Sequence, residues 1–92
     1  MAFNTVTIGP TATQIVGPNR ERIGLIIVNT DTAKTIYLGQ DNTVTIANGT
    51  PIPPGGNLTE QNGGAGTEMY YGPVFGIPSA GTVDVRYWER MH

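Results

Sequence analysis

Turn-forming residues divide this chain into short runs, and none of these runs shows helical periodicity. The sequence contains 13 glycines and 7 prolines in 92 residues, and turn signals, most of which contain one of these residues, recur about every 6 to 12 residues. The runs between the breaks are rich in threonine, and they hold nine isoleucines and seven valines but only three leucines. Because β-branched residues favour strands, we predict an all-β chain. The expected architecture is a single small antiparallel β-sandwich, jelly-roll-like or Ig-like, that spans residues 1–92 with about eight to nine short strands.

Alternating apolar and polar residues mark the segments with strand character. These segments are residues 3–8, 11–16, 23–29, 34–38, 43–47, 50–52, 57–61, 67–71, 74–77 and 82–89. Asn48-Gly49 predicts a tight hairpin turn between the segments 43–47 and 50–52, and Val44 and Ile46 are expected to point inward.

The segment 23–29 is the most apolar. It places Ile23, Leu25 and Ile27 on one face and Ile26 and Val28 on the other. We therefore predict a central strand covered on both faces, one of them by a partner subunit.

Charge and apolar length exclude several classes of function. Charged residues make up 13% of the chain and the formal net charge is -2, so the basic surplus of a nucleic-acid-binding protein is absent. The longest apolar stretch, residues 23–28, is far shorter than the roughly 20 residues that cross a bilayer. The sequence has no cysteine, which excludes a disulfide framework and a thiolate metal site. No signal peptide is visible at the start, and we expect neither nucleic acid nor membrane among the partners.

Residues that could support catalysis are scarce. The single histidine, His92, ends the sequence, and the single serine, Ser79, lies in a turn without a nucleophile motif. Asp31 and Asp41 could supply oxygen ligands for calcium, but aspartates in such loops more often serve the turn itself. The glycine-rich residues 62–66 lack the lysine or following helix of a phosphate-binding loop. We therefore expect no enzyme activity, no cofactor and no metal.

Candidate contacts with a partner protein are concentrated near the last strand. If Val83, Val85 and Tyr87 face the core, the residues that share the outer face are Asp84, Arg86, Trp88 and Arg90. Tryptophan beside arginine is a composition enriched at protein interfaces. The alternative is that Trp88 packs inward and the stem of Arg86 covers it.

Two further segments, residues 20–22 and 70–71, contain candidate contacts with a partner protein. Arg20 and Arg22 precede the most apolar segment, where they either contact a partner or remain solvated and protect an edge from pairing. Tyr70 and Tyr71 are adjacent, so at least one ring is expected to face outward. The full set of interface candidates is Arg20, Arg22, Tyr70, Tyr71, Arg86, Trp88 and Arg90.

The order of these turn and strand motifs resembles a known family. The motifs are Pro18-Asn19-Arg20-x-Arg22, Val28-Asn29, Ile36-Tyr37-Leu38-Gly39, Asn48-Gly49, Ile52-Pro53-Pro54-Gly55-Gly56, Gly72-Pro73-Val74-Phe75-Gly76-Ile77 and Gly81-Thr82-Val83-Asp84-Val85-Arg86. From about residue 11 to residue 89 the chain is similar to small accessory virion proteins of tailed bacteriophages, in which a short β-sandwich decorates the particle. The motifs describe a scaffold and carry no catalytic signature.

The resemblance implies a structural role on the virion. The expected function is a capsid decoration or cement protein that is made in the host cytoplasm, binds the major capsid protein on the outside of the shell and stabilises it. A homo-oligomer is expected, with a trimer favoured and a dimer possible. The alternative is a receptor-binding or carbohydrate-binding module associated with a tail fibre or head fibre.

Overall fold

The computed structural model describes residues 2–61 and 70–91, and these residues form eight β-strands. The strands are β1 (Ala2–Ile8), β2 (Thr13–Val16), β3 (Arg22–Asn29), β4 (Ile36–Gly39), β5 (Thr50–Ile52), β6 (Asn57–Gln61), β7 (Val74–Pro78) and β8 (Val83–Met91). The all-β prediction is confirmed. No helix among the described residues is long and apolar enough to cross a membrane.

The strands form two antiparallel sheets of four, which we call sheet I (order β1-β8-β3-β6) and sheet II (order β2-β7-β4-β5). The first strand pairs with the last, the second with the seventh, the third with the sixth and the fourth with the fifth. This folded-back order is that of a jelly roll with eight strands, whereas an Ig constant-type sandwich has seven. Of the two expected forms of sandwich, the structure has the jelly-roll order.

The core lies between the two sheets and consists of the inward side chains of both. Its buried members are Ile8, Ile15, Val16, Leu25, Ile27, Ile36, Leu38, Ile52, Val74, Val83 and Val85. β-Branched residues dominate because each strand alternates one side chain toward the core with one toward solvent. The alternation predicted for the last strand is confirmed, since Val83 and Val85 are buried and Tyr87 packs against the core.

The strand predicted over residues 43–47 does not form, and residues 40–49 are a loop between β4 and β5. Asp41 accepts a hydrogen bond from the backbone N–H of Thr43, and the carbonyl of Thr45 accepts one from Gly49, so two local turns replace the strand. Val44 is buried as predicted, but Ile46 is 57% exposed. The predicted hairpin at Asn48-Gly49 is therefore wrong, and this pair ends the loop instead.

Other predictions fall partly or wholly beyond the described residues. The glycine-rich segment 62–66, residues 67–69 of the strand predicted over 67–71, and His92 lie outside them. Tyr70 and Tyr71, which end that predicted segment, belong to no strand.

Candidate interaction surface

The outer face of sheet I carries a group of four side chains that we call the Trp88 face: Ile26, Val28, Arg86 and Trp88. Trp88 lies opposite Ile26 across the β3–β8 pairing, and Arg86 lies opposite Val28. Ile26, Val28 and Trp88 are half-buried and Arg86 is exposed. The outward alternative for Trp88 is the one that the structure supports, because its neighbours in β8, Tyr87 and Glu89, point to the opposite side.

The Trp88 face lines an open depression of about 500 Å³. Its remaining walls come from Asn4, Thr5 and Tyr87. The floor of the depression is apolar, and its rim consists of Arg86 and the polar residues Asn4 and Thr5 of β1. An apolar centre with an arginine and a polar rim is the composition of a protein contact surface.

The other predicted contact residues are at one end of the sandwich. Arg20 is exposed in the turn before β3, and Tyr71 is exposed as well. The two residues are close together, because the carbonyl of Tyr71 accepts a hydrogen bond (2.8 Å) from the backbone N–H of Asn19. Arg90 is exposed on the same outer face as Trp88. Tyr70 is half-buried against the core, and its hydroxyl donates to the carbonyl of Pro73 (2.6 Å). One of the two adjacent tyrosines thus faces outward and the other inward.

Arg22 is inside the protein, so its predicted surface contact is wrong. Its side chain is 0% exposed, and its Nε donates to Oε2 of Glu89 at 2.7 Å. Its Nη1 donates to the carbonyls of Tyr70 and Gly72, and its Nη2 donates to the carbonyl of Gly17. A guanidinium presents a fixed fork of donors, and here that fork joins two strands and two loops.

A β-bulge explains why Arg22 points inward. Leu25 and Ile27 face the core, so strict alternation would place Ile23 inward and Arg22 outward. The register with β8 shifts between Arg22 and Gly24, which leaves Ile23 as an extra residue. An extra residue reverses the alternation beyond it. Ile23 is therefore only half-buried, contrary to its predicted inward position, and Arg22 takes the inward one.

A signal for the buried partner of Arg22 was present in the sequence. Glu89 is two residues beyond Tyr87, on the core-facing positions of the last strand. A carboxylate on such a position requires a positive partner, because an unpaired buried charge is very costly. The sequence contains no comparable signal for the bulge that turns the side chain of Arg22 toward the core.

Asn29 holds the opposite end of β3 in a similar way. Its side chain is 0% exposed, and its Nδ2 donates to the carbonyls of Lys34, Ile52 and Pro53. Its Oδ1 accepts a hydrogen bond from the backbone of Asp31 (3.0 Å). The buried side-chain amide of Asn29 therefore forms hydrogen bonds with both the loop after β3 and the turn after β5.

The residues considered for chemistry serve turns. Asp31 accepts a hydrogen bond from the backbone N–H of Lys34, and Asp41 accepts one from Thr43. Hydrogen bonds from the hydroxyl and then the backbone of Thr43 lower the pKa of the Asp41 carboxyl. The backbone of Ser79 donates to the carbonyl of Thr35 (2.8 Å). Each of these contacts shapes the local backbone, as the turn interpretation predicts.

The described residues thus form an open surface on three strands that is a candidate contact surface, and two buried polar side chains, Arg22 and Asn29, lie at the ends of β3. Comparison of the chain with protein-family models, with curated proteins and with solved structures finds no match.

Proposed function

We propose that this chain is a structural, non-catalytic protein that decorates the outside of a capsid shell and binds the major capsid protein through the Trp88 face. The observation that carries the proposal is the pairing of half-buried Trp88 with Ile26, beside exposed Arg86, on an open sheet surface. Tryptophan and arginine contribute most often to binding energy at protein interfaces. The resemblance of the turn and strand motifs to accessory virion proteins supports the capsid shell as the partner.

The shape of the surface supports a large partner. The depression is open and its walls come from three adjacent strands, so its floor follows the sheet. Sites for small molecules usually enclose most of the ligand surface. An open surface that extends over three strands instead suits contact with another folded protein.

The test is co-sedimentation with expanded shells assembled from the major capsid protein of the same genome. We expect the chain to bind saturably and to raise the temperature at which the shells disrupt. Trp88→Ala removes the largest side chain of the Trp88 face, and we expect it to weaken binding at least about tenfold. Ile46→Ala is the matched control, because Ile46 is an exposed large apolar residue in the loop between β4 and β5. It should bind as the wild-type protein does.

Circular dichroism and thermal unfolding of both variants separate binding from folding. Trp88 is half-buried on the outer face, so Trp88→Ala should leave the protein folded. Unfolding of this variant would instead assign Trp88 a core role, for which truncation costs about 3–5 kcal/mol. Absence of shell binding by the wild-type protein, or equal binding by both variants, would refute the proposal.

A carbohydrate-binding module is the second candidate. Trp88 lies beside the polar residues Asn4 and Thr5 around the same depression, and an aromatic ring with nearby hydrogen-bonding groups also suits a sugar. Jelly rolls occur in lectins as well as in capsid proteins. Binding of a cell-surface glycan that is lost in Trp88→Ala, together with no binding to shells, would favour this candidate.

A further inference from the structure

The sandwich has four edge strands, and three of them carry features that discourage pairing with another strand. β2 has four residues and a register shift between Gln14 and Val16. β5 has three residues and contains Pro51, which has no N–H to donate. β6 contains Glu60. Short length, bulges, prolines and charges are the usual protections of sheet edges.

β1 carries none of these protections. It is seven residues long, and its register with β8 is unbroken from Ala2↔Glu89 to Ile8↔Val83. It contains no proline and no charged side chain, and Thr5 and Thr7 are exposed. Within the described residues, no strand pairs with the edge of β1 that faces away from β8. A long, regular and uncharged edge is a template for a further strand.

The lack of charge extends beyond β1 along the same side of the sandwich. The first charged side chain in the sequence is Arg20, so β1 and β2 both come from a segment without any. The two strands are the edges of sheet I and sheet II, and they pack against each other. Two copies of this side can therefore approach each other without repulsion between like charges. The side also carries no charged group that would select a partner of opposite charge.

We propose that β1 pairs antiparallel with β1 of a second copy of this chain, around a twofold axis at Thr5, to form one continuous eight-stranded sheet. Thr5 of one copy then lies opposite Thr5 of the other, and Asn4 lies opposite Val6. Threonine pairs across strands stabilise antiparallel sheets. Because the same edge serves both subunits, the interface closes as a dimer.

The charged side chain nearest the proposed axis does not oppose this pairing. Arg86 lies opposite Thr5 within each subunit. In the dimer, the two Arg86 positions are separated by both β1 strands, a distance of about 14 Å at the usual strand spacing. That distance exceeds the Debye length at physiological salt, so their repulsion is largely screened.

Sedimentation equilibrium of the full chain over a range of concentrations tests the proposal. We expect the wild-type protein to show twice the chain mass. Thr5→Glu places two carboxylates opposite each other at the axis and should raise the dissociation constant at least about tenfold. Within each subunit, Glu at this position is next to Arg86, which favours a folded variant. An equimolar mixture of Thr5→Glu and Thr5→Lys should dimerise again, because opposite charges then meet. Lysine at this position lies opposite Arg86 of its own subunit, so circular dichroism first checks that Thr5→Lys is folded.

Thr59→Glu is the matched control, since Thr59 is exposed on β6, the opposite edge of the same sheet. It should leave the dimer intact. The chain lacks native cysteine, so Thr5→Cys should form a disulfide-linked dimer on mild oxidation while Thr59→Cys should not.

A monomeric wild-type protein up to several hundred micromolar, a trimer, or a dimer that Thr5→Glu does not weaken would overturn the proposal. These measurements use the isolated chain without shells. Their outcome is therefore independent of whether the Trp88 face binds a capsid.

Discussion

Arg22 and Glu89 form a buried ion pair that joins β3 to β8, with 2.7 Å between Nε of the arginine and Oε2 of the carboxylate. Glu89 is only 8% exposed. The other donors of Arg22 reach backbone carbonyls in the loop before β3 and in the segment before β7. The pair therefore organises one end of the sandwich, next to the exposed residues Arg20 and Tyr71.

Arg22→Ala should destabilise the protein strongly. It leaves Glu89 as an uncompensated buried charge and removes the donors to the carbonyls of Gly17, Tyr70 and Gly72. Breaking a buried pair in this way costs about 3–5 kcal/mol of unfolding free energy. Urea unfolding would measure it. Arg20→Ala, at an exposed position two residues earlier, should change the free energy of unfolding by no more than about 0.5 kcal/mol.

Replacing both members of the pair should be less harmful than removing one. In the double variant Arg22→Met, Glu89→Leu, no charge remains buried, and apolar side chains fill similar volume. We expect it to be more stable than Arg22→Ala. If the double variant is as unstable as Arg22→Ala, the hydrogen bonds of Arg22 to the loops matter more than its charge.

Asn29→Ala should also destabilise the fold, by about 1–3 kcal/mol, because it removes the buried amide that donates to the carbonyls of Lys34 and Ile52. The loop after β3 and the turn after β5 should both exchange their amide hydrogens faster. Hydrogen exchange by NMR measures this effect residue by residue. Asn42→Ala, in an exposed turn, should leave stability and exchange nearly unchanged. Equal effects of the two variants would contradict the role assigned to Asn29.

Gly49→Ala should disturb the packing of the loop between β4 and β5. A Cβ at this position would lie 2.6 Å from Cβ of Tyr37 and 2.9 Å from Cγ2 of Val44. Overpacking of this kind costs about 1–3 kcal/mol, which thermal unfolding can detect. Gly9→Ala is the control, because a Cβ there meets no atom within 4 Å. A Gly49→Ala protein as stable as Gly9→Ala would mean that the loop packs differently.

Asp41 should contribute a small, pH-dependent stabilisation. Hydrogen bonds from Thr43 hold the pKa of its carboxyl below the ordinary value of 3.8. Since the folded state favours the ionised form, the contribution is complete above about pH 4 and is lost as the pH falls through the lowered pKa. An NMR titration of the carboxyl carbon should show this pKa, and Thr43→Ala should raise it. A titration at 3.8 in both proteins would contradict the hydrogen bonds.

The alternation of side chains along a strand was readable from the sequence wherever the strand was regular. It assigned Val83 and Val85 to the core, and the structure agrees. It left Trp88 open between the outer face and inward packing, and the structure places Trp88 beside Arg86 on the outer face. It failed at the start of β3, because a bulge at Ile23 reverses the alternation. A bulge depends on the pairing with the neighbouring strand, so composition and period alone do not reveal it.

The chain contains the same four residues, Thr-Val-Thr-Ile, at 5–8 and at 43–46. The first copy is part of β1, while the second is in the loop after β4. Both have the composition of a strand, but only the first has an antiparallel neighbour along its whole length. At the second copy, hydrogen bonds of Asp41 and Thr45 form turns that compete with a strand.

The sequence by itself therefore determined the class of this protein: its glycines and prolines separate β-branched runs, and such runs fold as an antiparallel sandwich. Only the tertiary structure decided which runs become strands and which polar side chains are buried. The reason is that a strand is stabilised by partners distant in the sequence, and a buried charge such as Arg22 is tolerated only where a group such as Glu89 arrives from another strand. Both conditions depend on how the strands are ordered in the sheets.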